Sequence, residues 1–200
     1  MKLISSTTSP YVRKVLIVLA ETGQSDDVEL VSVATTPLNT PDSVIAANPI
    51  GKIPALVREG QATLSDSRVI CQYFDDRAGG SLYSQRDRWE LLALEAAADA
   101  IMDAAVQIVM ETRLRPAHLI DEGWLDAQWA KVERGVAALG DTWMGHLNGP
   151  LNIGQIAVGC ALAYLDFRLP DRVWRKGNDA LDDWYAVFAD RPSMTATVPA

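Results

Sequence analysis

Cysteine and histidine are nearly absent from this 200-residue chain, with two of each. Cys71 and Cys160 lie far apart, and His118 and His146 have no Cys or His neighbours in pattern. Neither a disulfide framework nor a metal site is therefore expected. The two thiols sit on apolar helical stretches and read as buried structural cysteines. No apolar run approaches the roughly 18–20 residues that span a bilayer. The opening Met1-Lys2-Leu3-Ile4-Ser5-Ser6 has no long apolar segment of the secretory type. These absences point to a cytoplasmic protein with no membrane partner. An excess of basic residues is missing too. Residues 1–80 carry 7 Lys/Arg and 9 Asp/Glu, and the remainder 11 and 17, so both parts contribute to the net charge of -8. Non-specific nucleic-acid binding needs a basic footprint and is excluded on that ground.

What is present is enough apolar residue (48%) and enough charge (22%) for a water-soluble chain with a full core. The length allows one large domain or two modest ones. Lys2–Ser5 reads as a first strand. Ser9-Pro10 marks a helix start, with Ser9 as N-cap and Pro10 at the first helical position. Apolar residues at 12, 15, 16, 19 and 20 follow at helical spacing, and Gly23 closes the helix. Val28–Val33 reads as a second strand, and Thr40-Pro41-Asp42-Ser43 opens a short helical turn. Ala55–Val57 and Ala62–Leu64 are two further strands around a turn at Glu59-Gly60. Ser65/Asp66 then begins a helix carrying Val69, Ile70, Tyr73 and Phe74. The order is βαβαββα, with the first two strands parallel and the last two a hairpin. That is the thioredoxin-like arrangement.

The stretch around which this half is organised is Asn48-Pro49-Ile50-Gly51-Lys52-Ile53-Pro54-Ala55-Leu56. Pro54 cannot donate to a sheet ladder, so it begins the strand or lies at its edge. Ile53-Pro54 is a candidate cis peptide. The N–H and C=O of Ile53 would then face outward and could pair with an extended ligand as an added strand does. A tight turn with two prolines is the alternative.

Ala78-Gly79-Gly80-Ser81 is small and flexible in composition and marks a boundary. The expected division is 1–78, a linker at 79–85, and an all-helical domain at 86–200. In that second part Trp89, Leu92, Ala96, Ala97, Ala100, Ile101, Ala104, Ala105, Ile108 and Val109 keep helical spacing, up to a stop at Pro116. A second helix is predicted from about Asp121 to Leu147, interrupted in propensity by Gly135 and Gly140. Asn152-Ile153-Gly154-Gln155 has the form of a capping box. It opens an apolar helix through Leu165, expected to be central. A last helix covers Asp179–Asp190, and the small, polar tail 193–200 is expected to be loosely held.

Four features together resemble bacterial glutathione S-transferases over essentially the whole length. They are Ser9-Pro10-Tyr11-Val12-Arg13-Lys14-Val15, the Asn48–Leu56 stretch, Asp66-Ser67, and the capped helix from Asn152. The resemblance implies the cytosolic transferase fold, a thioredoxin-like domain followed by a helical bundle. It also implies that Ile53 and Pro54 hold the cysteinyl backbone of glutathione, and that Asp66 and Ser67 hold its γ-glutamyl group. A helix N-terminus suits the γ-glutamyl carboxylate, and Asp66 could pair with the ammonium group. The family more often has Glu there, one methylene longer. Helix capping is the alternative role for both residues. Lys52 could meet the glycyl carboxylate or be solvated.

Ser9 matches the position of the activating hydroxyl in Ser-type members, where it would donate a hydrogen bond to the glutathione thiolate and lower the thiol pKa. N-capping is its alternative role, and Thr7, Thr8 and Tyr11 are rivals for thiol activation. Tyr11 is otherwise expected to line the electrophile pocket. The resemblance further implies glutathione as co-substrate without a metal, a small apolar electrophile, a detoxifying role and a homodimer. A glutathione-dependent lyase, isomerase or dehalogenase would keep the same ligand site. A non-catalytic binding or scaffold protein would keep the fold.

Overall fold

Strand β1, Lys2–Ser5, lies in the middle of a four-stranded sheet of order β2-β1-β3-β4, with β2 at Glu29–Ser32, β3 at Ala55–Val57 and β4 at Leu64–Ser65. The computed structural model describes residues 1–199. These form two units, Met1–Ser84 together with the segment from Pro192 onward, and Gln85–Arg191. In the first unit β1 runs parallel to β2 and antiparallel to β3, and β3 is antiparallel to β4. Helices α1 (Pro10–Glu21), α2 (Asp42–Ala47) and α3 (Ser67–Arg77) complete the expected βαβαββα order.

Register sets the two faces of the sheet. Ile4 pairs with Ala55, and both are buried with Val44 of α2. Leu3 and Leu56, the adjacent pair, point to the opposite face and are fully buried there. That side is covered by α1 and α3, which pack against each other. Helix α1 is buried more fully than a single apolar stripe predicts. Arg13 and Lys14 are inside it together with Val12, Val15, Ile17, Val18 and Leu19, whereas Ala20 is exposed.

The stretch after α3 is tied down despite its glycines. The carboxylate of Asp75, itself wholly buried, accepts backbone N–H bonds from Ser81 (3.0 Å), Leu82 (2.8 Å) and Tyr83 (3.0 Å). Leu82 and Tyr83 are buried as a result.

The second unit consists of α4 (Arg88–Leu114), α5 (Glu122–Thr142), α6 (Met144–Leu147), α7 (Ile153–Arg168) and α8 (Asp179–Ala189). The buried face of α4 differs from the expected one in its first turns. Leu91, Leu94, Glu95, Ala98 and Asp99 are inside, and Trp89 is 77% exposed. The two inward carboxylates break the apolar pattern, which is why spacing alone shifts the face. Helix α5 passes through Gly135 and Gly140 without a break. Gly135 allows the close approach of α4, since a Cβ there would lie 2.7 Å from Ile101 Cγ1. The break comes instead at Trp143, separating α6 from α5.

Helix α7 is buried on every side from Ile153 to Leu165, as a central helix must be. Gly154 lets it meet α4: a Cβ there would lie 2.5 Å from Leu94 Cδ2. Its capping box is complete. Asn152 Oδ1 accepts from Gln155 N (3.0 Å), and Gln155 Oε1 accepts from Asn152 N (3.1 Å). Gln155 Nε2 also donates to the carbonyls of Leu147 (2.7 Å) and Gly149 (3.0 Å), so one neutral side chain satisfies the end of α6 and the start of α7. Cys71 and Cys160 are both buried, and no disulfide joins them.

The tail is not loose. Residues Pro192–Thr195 form a short helix, α9, with Ser193 and Met194 buried against α1. Arg13 Nη2 donates to Met194 O (2.9 Å), Arg13 Nε donates to Thr197 Oγ1 (3.3 Å), and Ser193 Oγ donates to Glu21 Oε1 (2.5 Å). These bonds join the segment from Pro192 to the first unit, whereas the expected division at 86–200 groups it with the helices. Ala200, the last residue of that predicted tail, lies outside the described residues.

Replacing Gln155 by Ala leaves buried carbonyls without a donor and should lower stability by about 2 kcal/mol. Because the box is uncharged, urea midpoints of Gln155→Ala and wild type should differ equally at about pH 5 and about pH 8. A difference that grows with pH would contradict the neutral box.

Candidate functional site

Three segments converge on one end of the sheet in the first unit. Ile4 pairs with Ala55, so the end of β1 lies beside the start of β3. Ala55 pairs with Ser65, so the end of β4 lies beside that same start. The chain segments that contain Ser9, Ile53-Pro54 and Asp66-Ser67 all adjoin this end of the sheet. Tyr11, in the first turn of α1, is half-buried, and Lys52 is exposed just ahead of Ile53.

The Ile53-Pro54 peptide bond is cis. Neither the N–H nor the C=O of Ile53 makes a hydrogen bond among the described residues. Backbone groups are ordinarily paired with protein or water, so this is a free stretch of backbone edge. The loop before it is held by Asn48, a buried residue whose site role the sequence did not signal beyond its place in the motif. Its Nδ2 donates to Lys52 O (2.9 Å), and its Oδ1 accepts from Ile50 N (3.2 Å). Gly51 takes φ +75°, and a Cβ there would lie 3.2 Å from Thr40 Cγ2, so the turn requires glycine twice over.

Ser9 caps α1: its Oγ accepts from Val12 N at 3.3 Å. A hydroxyl has two acceptor lone pairs and one proton, so accepting that bond leaves the proton available to a ligand. Capping and donation are compatible at one atom. Of its rivals, Thr8 Oγ1 lies 3.3 Å from Ser6 Oγ, and Thr7 is exposed.

Asp66 caps α3 from an unusual backbone, with φ +73°. A non-glycine residue in the left-handed region is uncommon and costs on the order of 1 kcal/mol. Its Oδ1 accepts from Arg68 N (2.9 Å) and Arg68 Nε (3.3 Å). Burial pushes the Asp66 carboxyl up, but the hydrogen bonds from Arg68 and the charges of Arg68 and Lys14 outweigh it and hold the pKa below the usual value. Lys14 is the residue that periodicity overlooked: it is fully buried in α1 and its charge reaches Asp66. Ser67 is buried at the first position of α3, and its hydroxyl makes no hydrogen bond among the described residues. The edge therefore presents a free backbone pair, an available hydroxyl, a helix N-terminus with a second hydroxyl, and a carboxylate. That set matches a short peptide bearing both carboxylate and ammonium groups. Among the described residues no group of three or more His, Cys, Asp or Glu is placed to hold a metal ion, and no helix is long and apolar enough to cross a membrane.

Comparison with known proteins shows which family and fold the chain shares. The family model for the glutathione S-transferase N-terminal domain matches residues 8–77, and that for the C-terminal domain matches residues 122–186. The Escherichia coli (strain K12) GST-like protein YibF is 37% identical, over 100% of this chain and 98% of its own. A glutathione transferase family member from Pseudomonas fluorescens Pf-5, solved with bound glutathione, superposes with a TM-score of 0.96 at 42% identity, covering 100% of this chain and 98% of that one. A second structure of a glutathione transferase family member from Pseudomonas fluorescens Pf-5, with bound S-(propanoic acid)-glutathione, gives a TM-score of 0.92 at 42% identity, with 100% of both chains covered.

The depressed Asp66 pKa has a definite sign. The folded state binds this proton less readily than the unfolded chain, so Asp66 contributes stability above its unfolded value, near 3.8. That contribution is lost as pH falls through the lower, folded value. The urea midpoint of wild type should therefore fall more steeply between about pH 5 and about pH 2 than that of Asp66→Asn. Equal slopes would show that Asp66 is not held as described.

Proposed function

The chain belongs to the glutathione S-transferase family, and we propose that it binds glutathione at this sheet edge and transfers its sulfur to a small electrophile. What supports the proposal is the unpaired backbone of Ile53, at the end of the sheet from which the segments leading to Ser9 and to α3 also start. A glutathione molecule laid along that edge would add a strand-like pair of hydrogen bonds through its cysteinyl residue. Its γ-glutamyl carboxylate would meet the N–H groups of α3 and the Ser67 hydroxyl. Its ammonium group would face Asp66, whose carboxyl is held ionised. Lys52, exposed just ahead of Ile53, would meet the glycyl carboxylate.

The reaction follows from the thiol. Ser9 donates its proton as a hydrogen bond to the sulfur, which favours thiolate over thiol, and the N-terminus of α1 adds to that preference. The thiol proton leaves to solvent. The sulfur lone pair forms the new C–S bond, and the displaced electron pair leaves with the departing group or, in an addition, takes a proton from water. Ser9 itself forms no covalent bond. Tyr11, two residues further on, would line the electrophile pocket. Binding of S-(propanoic acid)-glutathione by a 42%-identical neighbour supports a site that tolerates a substituent on sulfur.

Removal of the hydroxyl in Ser9→Ala should raise the pKa of bound glutathione by about one unit and lower kcat/KM with a model electrophile about tenfold at neutral pH, with little change in the glutathione KM. Ser9→Gly, which keeps a tolerable N-cap, separates catalysis from helix capping. Unchanged turnover in both variants would move thiol activation to Thr7, Thr8 or Tyr11. Glutathione binding with no turnover in wild type would leave a binding protein.

A further inference from the structure

We propose that the helical unit carries a second site, for a small organic cation with an apolar body, in the groove between α6 and α8. The groove is a cavity of about 420 Å³. Met144 and Asn148 line it from α6 and its C-terminal cap, and Ala180, Asp183, Trp184 and Val187 line it from α8. The four α8 residues fall at i, i+3, i+4 and i+7, so they form one helix face. The volume lies in the range of small-molecule sites.

The walls of the groove are tied together. Trp184 Nε1 donates to Leu147 O (2.8 Å), which joins α8 to α6, and the indole stacks on Phe188 with ring centroids 4.8 Å apart. Gln155 Nε2 donates to that same carbonyl (2.7 Å). An indole has a single N–H donor and no acceptor, so with that bond made Trp184 offers a ligand only apolar ring surface. Val187 extends the apolar wall and is 77% exposed.

The polar groups decide the charge of the ligand. Asp183 makes no hydrogen bond or ion pair among the described residues, and neither does the side-chain amide of Asn148. Asp182, next in the chain, is by contrast bonded to Arg175 Nε (2.8 Å). Acidic residues in the first turn of a helix are ordinary, because they complement the dipole. In α8 those are Asp179 and Asp182, so the dipole does not account for Asp183. No basic residue lines the groove. A smaller cavity that shares Ala180 adds Asp141 and Asp179, again with no basic residue in its lining. A cation is the charge that complements these walls. An ammonium group would donate to Asp183 and to Asn148 Oδ1, and its hydrocarbon part would lie on Met144, Trp184 and Val187. An inorganic cation would leave the apolar wall uncovered, and a neutral ligand would leave the carboxylate unopposed.

The test is calorimetric titration of the full chain at neutral pH with phenethylamine, with neutral phenethyl alcohol, and with ethylamine, which lacks the ring. Phenethylamine should bind at least about fivefold more tightly than either of the others. Asp183→Asn should reduce its affinity about fivefold and Val187→Ser about threefold, both at exposed positions that the fold does not need. Asp190→Asn, which alters an exposed carboxylate outside the groove, should leave phenethylamine affinity as in wild type, and glutathione affinity should be unchanged in all three variants. No binding of phenethylamine at millimolar ligand, equal binding of the alcohol or of ethylamine, or an affinity unchanged in Asp183→Asn would overturn the site. An equal loss in Asp190→Asn would reduce it to general surface charge and overturn it too. A smaller oligomer in Val187→Ser, read by sedimentation, would assign the groove to a second copy of this chain instead.

Discussion

The pairing register of β3 is the constraint on which the candidate site depends. Strand β3 has only three residues, yet it joins β1 on one side and β4 on the other. Ala55 faces Ile4 in one partner and Ser65 in the other. A slip of one residue would turn Leu56 from the α1/α3 side to the α2 side and carry Ala55 the other way. The cost of exchanging a fully buried Leu for an Ala on each face, together with Pro54 immediately before the strand, holds the register. Once it is held, the segments leading to Ser9, Ile53 and Asp66 all start from the same end of the sheet.

The helical unit is held by a different device. Two glycines on facing helices, Gly135 and Gly154, let α5 and α7 approach α4 so closely that a methyl group would clash with Ile101 or Leu94. A neutral amide pair, Asn152 and Gln155, then satisfies carbonyls from His146 to Pro150 that would otherwise be buried without donors.

Much of this was legible in the sequence, because caps, prolines and glycines act locally. Ser9-Pro10 opens α1, Ile53-Pro54 precedes β3, and Asn152 with Gln155 forms the capping box, each at its predicted residue. What periodicity missed are charged residues facing inward. Lys14 lies within the buried face of α1, Glu95 and Asp99 within that of α4, and Arg13 ties the segment from Pro192 to α1. Apolar spacing treats such residues as solvent markers, so it shifted the face of α4 and left the tail loose. Asp75 belongs to the same group: a carboxylate in a predicted helix does not announce that it will collect three backbone N–H groups from the segment that follows. The backbone of Asp66 was equally hidden, since no local rule asks for a left-handed aspartate there.

The central claim is that the three segments form one glutathione site, and backbone amide NMR tests it most directly. On titration of the ¹⁵N-labelled chain with glutathione, the amide signals of Ile53, Ser67 and the residues around Ser9 should shift together and report one common Kd. Signals that stay in place at millimolar glutathione, or shift only elsewhere in the chain, would contradict the account.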